Sequence, residues 1–274
     1  MKKINYKKVF VVIAWCFAVC GIALSLSFIN KQEKNLIVNS ININITNPTE
    51  NSFLNETDVQ DYFNSRNELL LNNQYKNINI PLLEKALNNH PSVANAEISA
   101  DLNGELKIDV EQRKPILRII NQDGESYYID SQSKLMPLSE NYTARVLVAN
   151  GLINEPYARR SDFTVTQIKN NPTYNQISVL DDLWDLTTYI NQDSTLMALI
   201  HQINVTKNKE IELIPVMGDH KIIFGQATNI EEKFNKLKVF YKEGLTKTNS
   251  WNKYSVINIK YKNIIVGTKK TSIN

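Results

Sequence analysis

Apolar and polar residues alternate along the stretch VINIKYKNIIV, which runs from Val256 to Val266 near the end of the chain. With a period of two, the large apolar residues share one face and the polar residues share the other: Ile257, Ile259, Tyr261 and Ile265 against Asn258, Lys260 and Lys262. Such alternation predicts a strand with one buried face and one solvated face. Because only a short polar tail follows, we expect this strand at the edge of a sheet, where unpaired backbone groups are exposed.

The sequence between residues 38 and 113 predicts five elements. A strand is predicted where isoleucines alternate with asparagines in SININIT. Two helices follow: Asn55 or Thr57 can cap the first, and Pro81 suits the first turn of the second. A β-hairpin comes next, and Asn103-Gly104 is the pair preferred in a tight type I′ turn. The order strand, helix, helix, strand, strand describes one compact α+β unit.

A second unit, predicted over residues 114–267, follows a break at Lys114-Pro115. Its first hairpin turns at Asp123-Gly124, and several later segments alternate as strands do. An amphipathic helix is predicted over 178–193, and the last helix is expected to end before Gly244. Together these elements predict a mostly antiparallel sheet with flanking helices.

The N-terminal region contains one long uncharged run. The residues from Val9 to Ile29 would span roughly 30 Å as a helix, which is the thickness of a bilayer core. Four lysines precede the run, so the positive-inside rule places the N-terminus in the cytoplasm and the chain after Asn30 outside. A cleaved signal peptide is the alternative, but its apolar region is usually only about 7–15 residues and ends at an A-x-A-like site. The exit sequence LSFINKQ has no such site, so the pattern predicts an uncleaved anchor.

The predicted fold is α+β, with a single N-terminal transmembrane helix before two external domains. Its parts in chain order are a cytoplasmic tail (1–8), the transmembrane helix (9–29), a linker (30–37), the five-element domain (38–113), the β domain (114–267) and a C-terminal tail (268–274). Both cysteines, Cys16 and Cys20, lie within the predicted anchor. The external domains are therefore expected to fold without a disulfide.

The formal net charge of +3 is misleading for the external domains. Without the four N-terminal lysines, 27 basic residues face 28 acidic ones, and the balance becomes −1. A surface with this charge has no broad attraction for the phosphate backbone of nucleic acid. The composition therefore argues against a nucleic-acid-binding protein.

The sequence shows no catalytic constellation. Its three histidines, His90, His201 and His220, have no second histidine or cysteine at metal-ligand spacing. The chain lacks G-x-S-x-G, H-E-x-x-H and a glycine-rich phosphate loop. The acidic pairs Asp181-Asp182 and Glu231-Glu232 begin predicted helices, where negative charge offsets the helix dipole. We therefore expect no enzymatic activity, no metal and no cofactor.

Several local stretches follow one another in an order typical of a known family. They are IPLLEKALNNHPSVANAEIS, GELKIDVEQRKPILRI, SYYIDSQSKLMPLS, EIELIPVMGDHKIIFG, EEKFNKLKVFYKEGL and YSVINIKYKNIIV. In this order the chain resembles the bacterial cell-division family FtsQ, called DivIB in some lineages. The first two stretches resemble the family's POTRA domain, and the other four resemble the start and end of its β domain. Ser133 departs from the family pattern, because a turn glycine is expected there.

The resemblance implies a non-enzymatic scaffold of the division complex, held in the cytoplasmic (inner) membrane at the septum with its domains outside. FtsQ-like proteins join two bitopic coiled-coil partners, of the FtsB/DivIC and FtsL types, and help control septal peptidoglycan synthesis. In the family, the POTRA domain serves recruitment by other division proteins, and a partner strand adds to the end of the β domain. The partner-binding residues implied here are Ile259, Lys260, Tyr261, Ile265 and Val266.

The terminal strand keeps a second interpretation. Lys260 and Lys262 suit an acidic partner, but they equally serve to prevent edge-to-edge aggregation. Tyr261 falls on the apolar face, so a core role is the alternative to partner contact. Two other classes of function stand beside the scaffold. An anchored envelope enzyme would need a carboxylate pair in a cleft, and a POTRA-type chaperone normally has tandem POTRA units or a barrel.

Overall fold

The computed structural model describes residues 15, 19–21, 36–46, 53–66, 68–101, 103–160 and 163–270. The predicted transmembrane helix lies outside these residues except at Trp15 and 19–21, as do positions 30–35 of the predicted linker and positions 271–274 of the predicted tail. Within the part of the chain that is described, no helix is long and apolar enough to cross a bilayer. The chain divides between Gln112 and Arg113 into two compact units, and Phe53 belongs to the second.

The first unit contains three strands and two α-helices in the predicted order. They are β1 (Ser40–Thr46), α1 (Glu56–Asn64), α2 (Ile80–Asn88), β2 (Val93–Ala100) and β3 (Glu105–Gln112), with a short 3₁₀ turn (Tyr75–Asn77) between the helices. The strands form one sheet in the order β1-β3-β2, in which β1 runs parallel to β3 and β2 runs antiparallel to it.

Local sequence signals explain where the two helices of this unit begin. Asn55, one of the two predicted cap residues, forms a capping box with Asp58, since each side chain accepts from the other's backbone N–H at 2.8–2.9 Å. The Asn79 side chain accepts from Leu82 N–H at 3.2 Å, and Pro81 lies in the first turn of α2. Alternate residues of the three strands then meet the helices in one apolar core.

The hairpin between β2 and β3 has a different turn from the predicted one. Gly104 has a positive φ of 83°, and Asp101 N–H donates to the Glu105 carbonyl at 2.8 Å, so the strands are not joined by a two-residue turn and the predicted type I′ turn is wrong. Gly104 N–H donates to the Asp101 carbonyl at 3.0 Å and closes a three-residue loop with glycine in the left-handed position. A Cβ at position 104 would lie 2.5 Å from the Ile37 carbonyl oxygen, so the close approach also requires glycine.

The second unit has nine strands and six α-helices within its described residues. The strands are β4 (Pro115–Ile120), β5 (Ser126–Asp130), β6 (Leu135–Met136), β7 (Leu147–Gly151), β8 (Ile200–Val205), β9 (Ile211–Pro215), β10 (Lys221–Gly225), β11 (Tyr254–Asn258) and β12 (Val266–Lys269). The helices are α3 (Tyr157–Arg160), α4 (Val165–Asn170), α5 (Pro172–Ile177), α6 (Leu180–Asn191), α7 (Ser194–Leu199) and α8 (Ile230–Val239).

The nine strands form a single sheet in the order β12-β11-β10-β9-β8-β7-β4-β5-β6. Its neighbouring pairs are mostly antiparallel, and the exceptions are the parallel pairs β4–β7, β7–β8 and β10–β11. The predicted mostly antiparallel sheet with flanking helices is therefore confirmed. Parallel neighbours need a crossover connection, and α8 supplies the one between β10 and β11.

The last helix differs from its predicted form. It does not end before Gly244, because the backbone continues from Phe240 to Thr246 as a π-helix. The buried face of the α-helical part contains Phe234 and Leu237, and Tyr241 is buried in the π-helical part. A π-helical turn shifts the positions that follow it relative to an α-helix.

Candidate functional site

The end of the chain forms the last two strands of the sheet, with a turn between them. β11 lies between β10 and β12, and β12 is the edge strand. The single strand predicted over 256–266 is therefore wrong, since the chain leaves the sheet after Asn258 and returns at Val266. Asn263 adopts a positive φ of 57°, a left-handed conformation that asparagine tolerates in tight turns.

β12 has the features of an accessible edge. All four of its residues are exposed, and among the described residues no strand pairs with its outer side. Gly267 faces the Tyr254 ring so closely that a Cβ there would lie 2.6 Å from a ring carbon. The Tyr254 ring thus packs on the Gly267 backbone. The outer backbone edge of β12 remains open to pairing.

The five residues implied as a partner site do not share one environment. Ile259 is fully buried, and its N–H donates to the Ile223 carbonyl at 2.9 Å. Tyr261 is 50 % exposed, so its predicted place on the apolar face is wrong. Ile265 packs against the core, and Val266 begins β12 with 46 % of its surface exposed.

Lys260 joins the turn to the neighbouring strands. Its Nζ lies 3.2 Å from Glu210 Oε1, and the same ammonium lies 5.5 Å from the centroid of the Tyr261 ring. The side chain is partly buried, so it makes a defined contact within the unit. Lys260 therefore holds Tyr261 beside the sheet edge, in addition to any contact with a partner.

Lys236 of α8 fixes the same turn from the helix side. Its Nζ donates to the carbonyl of Tyr261, and to that of Ile259 at 3.4 Å. Sequence reasoning missed this role of Lys236, because a lysine on a helix usually lies in solvent. One charged donor thus holds two carbonyls of a turn that carries no backbone ladder of its own.

A groove of about 910 Å³ runs between the last helix and this turn. Its apolar walls include Val239, which is 61 % exposed, together with Phe240 and Ile265. Acidic residues line the rim: Glu231, Glu232 and Glu243. Sequence reasoning also missed the groove, because a single exposed apolar residue on a helix, such as Val239, is common and indicates nothing by itself.

A buried polar cluster lies beside the end of β12. His220 Nε2 is 2.6 Å from Tyr241 Oη, and the Tyr241 ring packs edge-on against Trp251. Lys270, directly after β12, donates to Asp219 at 2.8 Å. Burial lowers the pKa of His220 and raises the pKa of Tyr241, so both groups are neutral at pH 7.

The acidic pair Asp181-Asp182 begins helix α6, as predicted, but burial changes its titration. Asp181 is only 7 % exposed, and desolvation raises the pKa of both carboxyl groups. Among the described residues, no group of three histidine, cysteine, aspartate or glutamate side chains is placed to hold a metal ion.

The geometry at the sheet edge suits binding of a polypeptide through backbone hydrogen bonds and an apolar groove.

The two units define a class of protein, a two-domain α+β protein whose second unit has an open edge at β12. A family model described as FtsQ/DivIB, C-terminal related, matches residues 114–268, which is more than half of the chain. A POTRA-like domain model matches residues 37–111. The chain belongs to the FtsQ/DivIB family, whose members are cell-division proteins and generally non-enzymatic. Comparison with curated proteins gives no match.

The structure shows how Ser133 occupies a position where a turn glycine is expected. Ser133 has a positive φ of 65°, so the position expected to hold glycine does adopt the left-handed conformation. Its hydroxyl lies 2.9 Å from the Thr166 hydroxyl, and its carbonyl accepts from Val165 N–H at 2.7 Å. These bonds offset the steric cost of the side chain.

Replacing Lys236 with methionine is expected to loosen the turn without unfolding the unit. Loss of the two carbonyl contacts should raise amide exchange at Ile259 and Lys260, whose N–H groups are hydrogen-bonded, by roughly tenfold, which corresponds to about 1.4 kcal/mol of local stability. Hydrogen exchange read by mass spectrometry measures this directly. The control is Lys238→Met on the same helix, which removes only an ion pair with Asp193. Equal exchange in both variants would contradict the role of Lys236.

Acid is expected to destabilise the end of the second unit through His220. Its pKa is lower when folded, so below the ordinary value of 6.5 the unfolded chain binds the proton more readily and stability falls with pH. His220→Gln should reduce this loss between pH 8 and pH 5, measured as the urea midpoint. The control is His201→Gln, an exposed site on β8. Burial also lowers the pKa of His90 in the first unit, so the comparison is made between variants. An unchanged pH dependence in His220→Gln would refute this account.

Proposed function

We propose that this protein is a membrane-anchored scaffold of the division complex that captures a partner strand at its β12 edge. The observation that carries the proposal is an exposed edge strand with an open outer side beside an apolar groove, in a chain of the FtsQ/DivIB family. Family membership suggests partners of the FtsB/DivIC and FtsL types. Through them the protein would help control septal peptidoglycan synthesis.

The proposed topology follows from the sequence. Residues 9–29 form a single anchor in the cytoplasmic (inner) membrane, residues 1–8 lie in the cytoplasm, and the chain after the linker (30–37) lies outside. The POTRA-like domain, 38–113, contacts other division proteins, and the β domain, 114–267, carries the docking edge. The protein concentrates at the division septum.

The five proposed partner-binding residues take different roles at the edge. Val266 lies in β12 and would flank the added strand, while Lys260 and Tyr261 would contact side chains of the partner from the turn. Ile259 and Ile265 are packed against the core, and they support the turn from below. Strand addition gives affinity through main-chain hydrogen bonds, and side chains on alternate positions give register.

The charges around the edge suggest what the partner segment carries. Lys260 and Lys262 on the turn favour acidic side chains, whereas Glu231 on the groove rim favours a basic one, since Glu232 and Glu243 are paired with Lys236 and Lys247. A segment with both charges in that order would be complementary along its length.

Tyr261→Ala is expected to weaken capture of the FtsB/DivIC-type partner by about tenfold or more, as loss of an interface tyrosine commonly does. Tyr261 is half exposed, so circular dichroism should stay unchanged. Lys260→Glu should also weaken capture, but that change sets two acids together at Glu210. The double variant Lys260→Glu, Glu210→Lys restores the internal pair.

Capture by an immobilised partner separates the two roles of Lys260. Weak capture in both Lys260 variants is the expected result, because the partner then meets a reversed charge. Recovery in the double variant would show that Lys260 acts only through the fold. The matched control is Lys207→Glu, a charge reversal at an exposed lysine between β8 and β9. Normal capture by folded Tyr261→Ala would defeat the docking edge.

A fluorescent fusion of the full chain distinguishes the scaffold from the other classes. Rings at midcell during septation are expected for the scaffold, since recruitment concentrates the protein there. An even signal around the envelope would favour an envelope enzyme or a chaperone and would overturn the proposal. Truncation after Ile265 removes β12 but keeps β11 and the core residues Ile257 and Ile259. It provides a comparison in which midcell localisation and partner capture are scored separately.

A further inference from the structure

The segment Leu69–Leu71 of the first unit exposes apolar side chains. Leu69 is 79 % exposed, the highest value among large apolar side chains in the described residues, and Leu71 is 51 % exposed. Leu70 between them is buried, so the alternation of an extended chain turns both neighbours outward. Behind this segment, a groove of about 450 Å³ lined by Phe63 and Ile108 continues the apolar surface. Adjacent exposed leucines form a patch, whereas scattered ones need no explanation.

The patch lies where the chain enters the unit. Tyr75 N–H donates to the Leu36 carbonyl at 2.8 Å, and Ile37 pairs with Gln74 in an isolated bridge. These contacts tie the residues just after Leu71 to the first residues that the structure describes in this unit. Ile37 is itself 49 % exposed and adds apolar surface at this end.

The proposed anchor brings this end of the unit close to the bilayer. Between Ile29, the last residue of the anchor, and Leu36, the chain can span at most about 25 Å even when fully extended. A chain that is less than fully extended brings Leu36 nearer still. The patch is therefore held within reach of the membrane surface by covalent connection.

The charge of the segment suits such a surface. From Leu69 to Asn79 the only charged residue is Lys76, which is exposed, and the rest are apolar or neutral polar residues. Tyr75 is partly exposed, and tyrosine favours the boundary between headgroups and acyl chains. An anionic lipid surface attracts Lys76, and the nearest acidic residue in the sequence, Glu68, is partly buried in the groove behind the patch.

We propose that the Leu69–Leu71 patch seats on the outer surface of the lipid bilayer, with Leu69 and Leu71 inserted at the level of the headgroups and Lys76 beside anionic headgroups. The inference rests on the proposed anchor, residues 9–29. Insertion of the patch would give the first unit a fixed orientation on the membrane, which the covalent connection to the anchor does not provide by itself.

Nitroxide labels in the full chain test the proposal. The chain is reconstituted in vesicles of phosphatidylethanolamine and phosphatidylglycerol, in a Cys16→Ala, Cys20→Ala background. Labels are attached in turn through Leu69→Cys, Leu71→Cys, Val19→Cys in the anchor and Ile177→Cys, an equally exposed site in the second unit. Relaxation by oxygen, which enters lipid, is compared with relaxation by a nickel chelate, which stays in water.

The labels at positions 69 and 71 are expected to show an oxygen-to-nickel ratio several-fold higher than the label at 177. Leu69→Asp should lower the ratio at position 71 toward that of 177, because a charge resists insertion. If the label at 19 lies in lipid but the oxygen-to-nickel ratios at 69 and 71 equal that at 177, the proposed insertion of the patch is wrong and the proposed anchor stands. Shielding of 69 and 71 from both reagents would reveal a protein contact instead and would also overturn it. A label at 19 that is open to nickel would overturn the anchor, and with it both proposals.

Discussion

The burial of Phe234 governs the C-terminal end of the second unit. Its ring stacks on Tyr189 of α6, with centroids 5.5 Å apart, and lies 5.1 Å from the ring of Phe224 on β10. These contacts fix the last helix on the sheet. Lys236 lies two residues after Phe234 in the same helix. Because the helix is fixed, Lys236 meets the carbonyls after β11 in a defined place. The position of the edge strand thus depends on an aromatic contact within the core.

Several lysines in this unit donate hydrogen bonds to backbone carbonyls instead of pointing freely into solvent. Lys233 donates to the Gln226 carbonyl at 2.7 Å. Lys209 donates to three carbonyls at the end of α5. Lys236 donates to two carbonyls of the turn before β12. Helix ends and turns have carbonyls without ladder partners, and a charged donor satisfies them strongly. Lys236 also lies 3.8 Å from Glu232, and Lys247 pairs with Glu243, so lysines four residues further along partly neutralise two of the three glutamates on the groove rim.

Sequence patterns predicted most elements but failed where tertiary contacts decide the backbone. Periodicity found the strands around Ile43 and Ile108 and the helix beginning at Leu180, because burial of one face imposes a period. The same rule carried the alternation past Ile259 to Tyr261, although Asn263 reverses the chain there. The short helices over 157–177 were missed, since single turns leave little periodicity. The groove was missed because it needs the π-helix, for which the sequence has no signal.

The proposed docking edge would explain why the C-terminal strands of this chain carry no sequence motif. Backbone groups supply the hydrogen bonds in strand addition, and every residue except proline has them. The sequence must only keep β12 short, exposed and correctly placed, which the core residues Ile257 and Ile259 accomplish from inside. Selection for partner binding then falls on packing as much as on contact residues. Substitutions in the core beneath the edge would therefore affect partner capture through position, and only a surface change such as one at Tyr261 separates contact from placement.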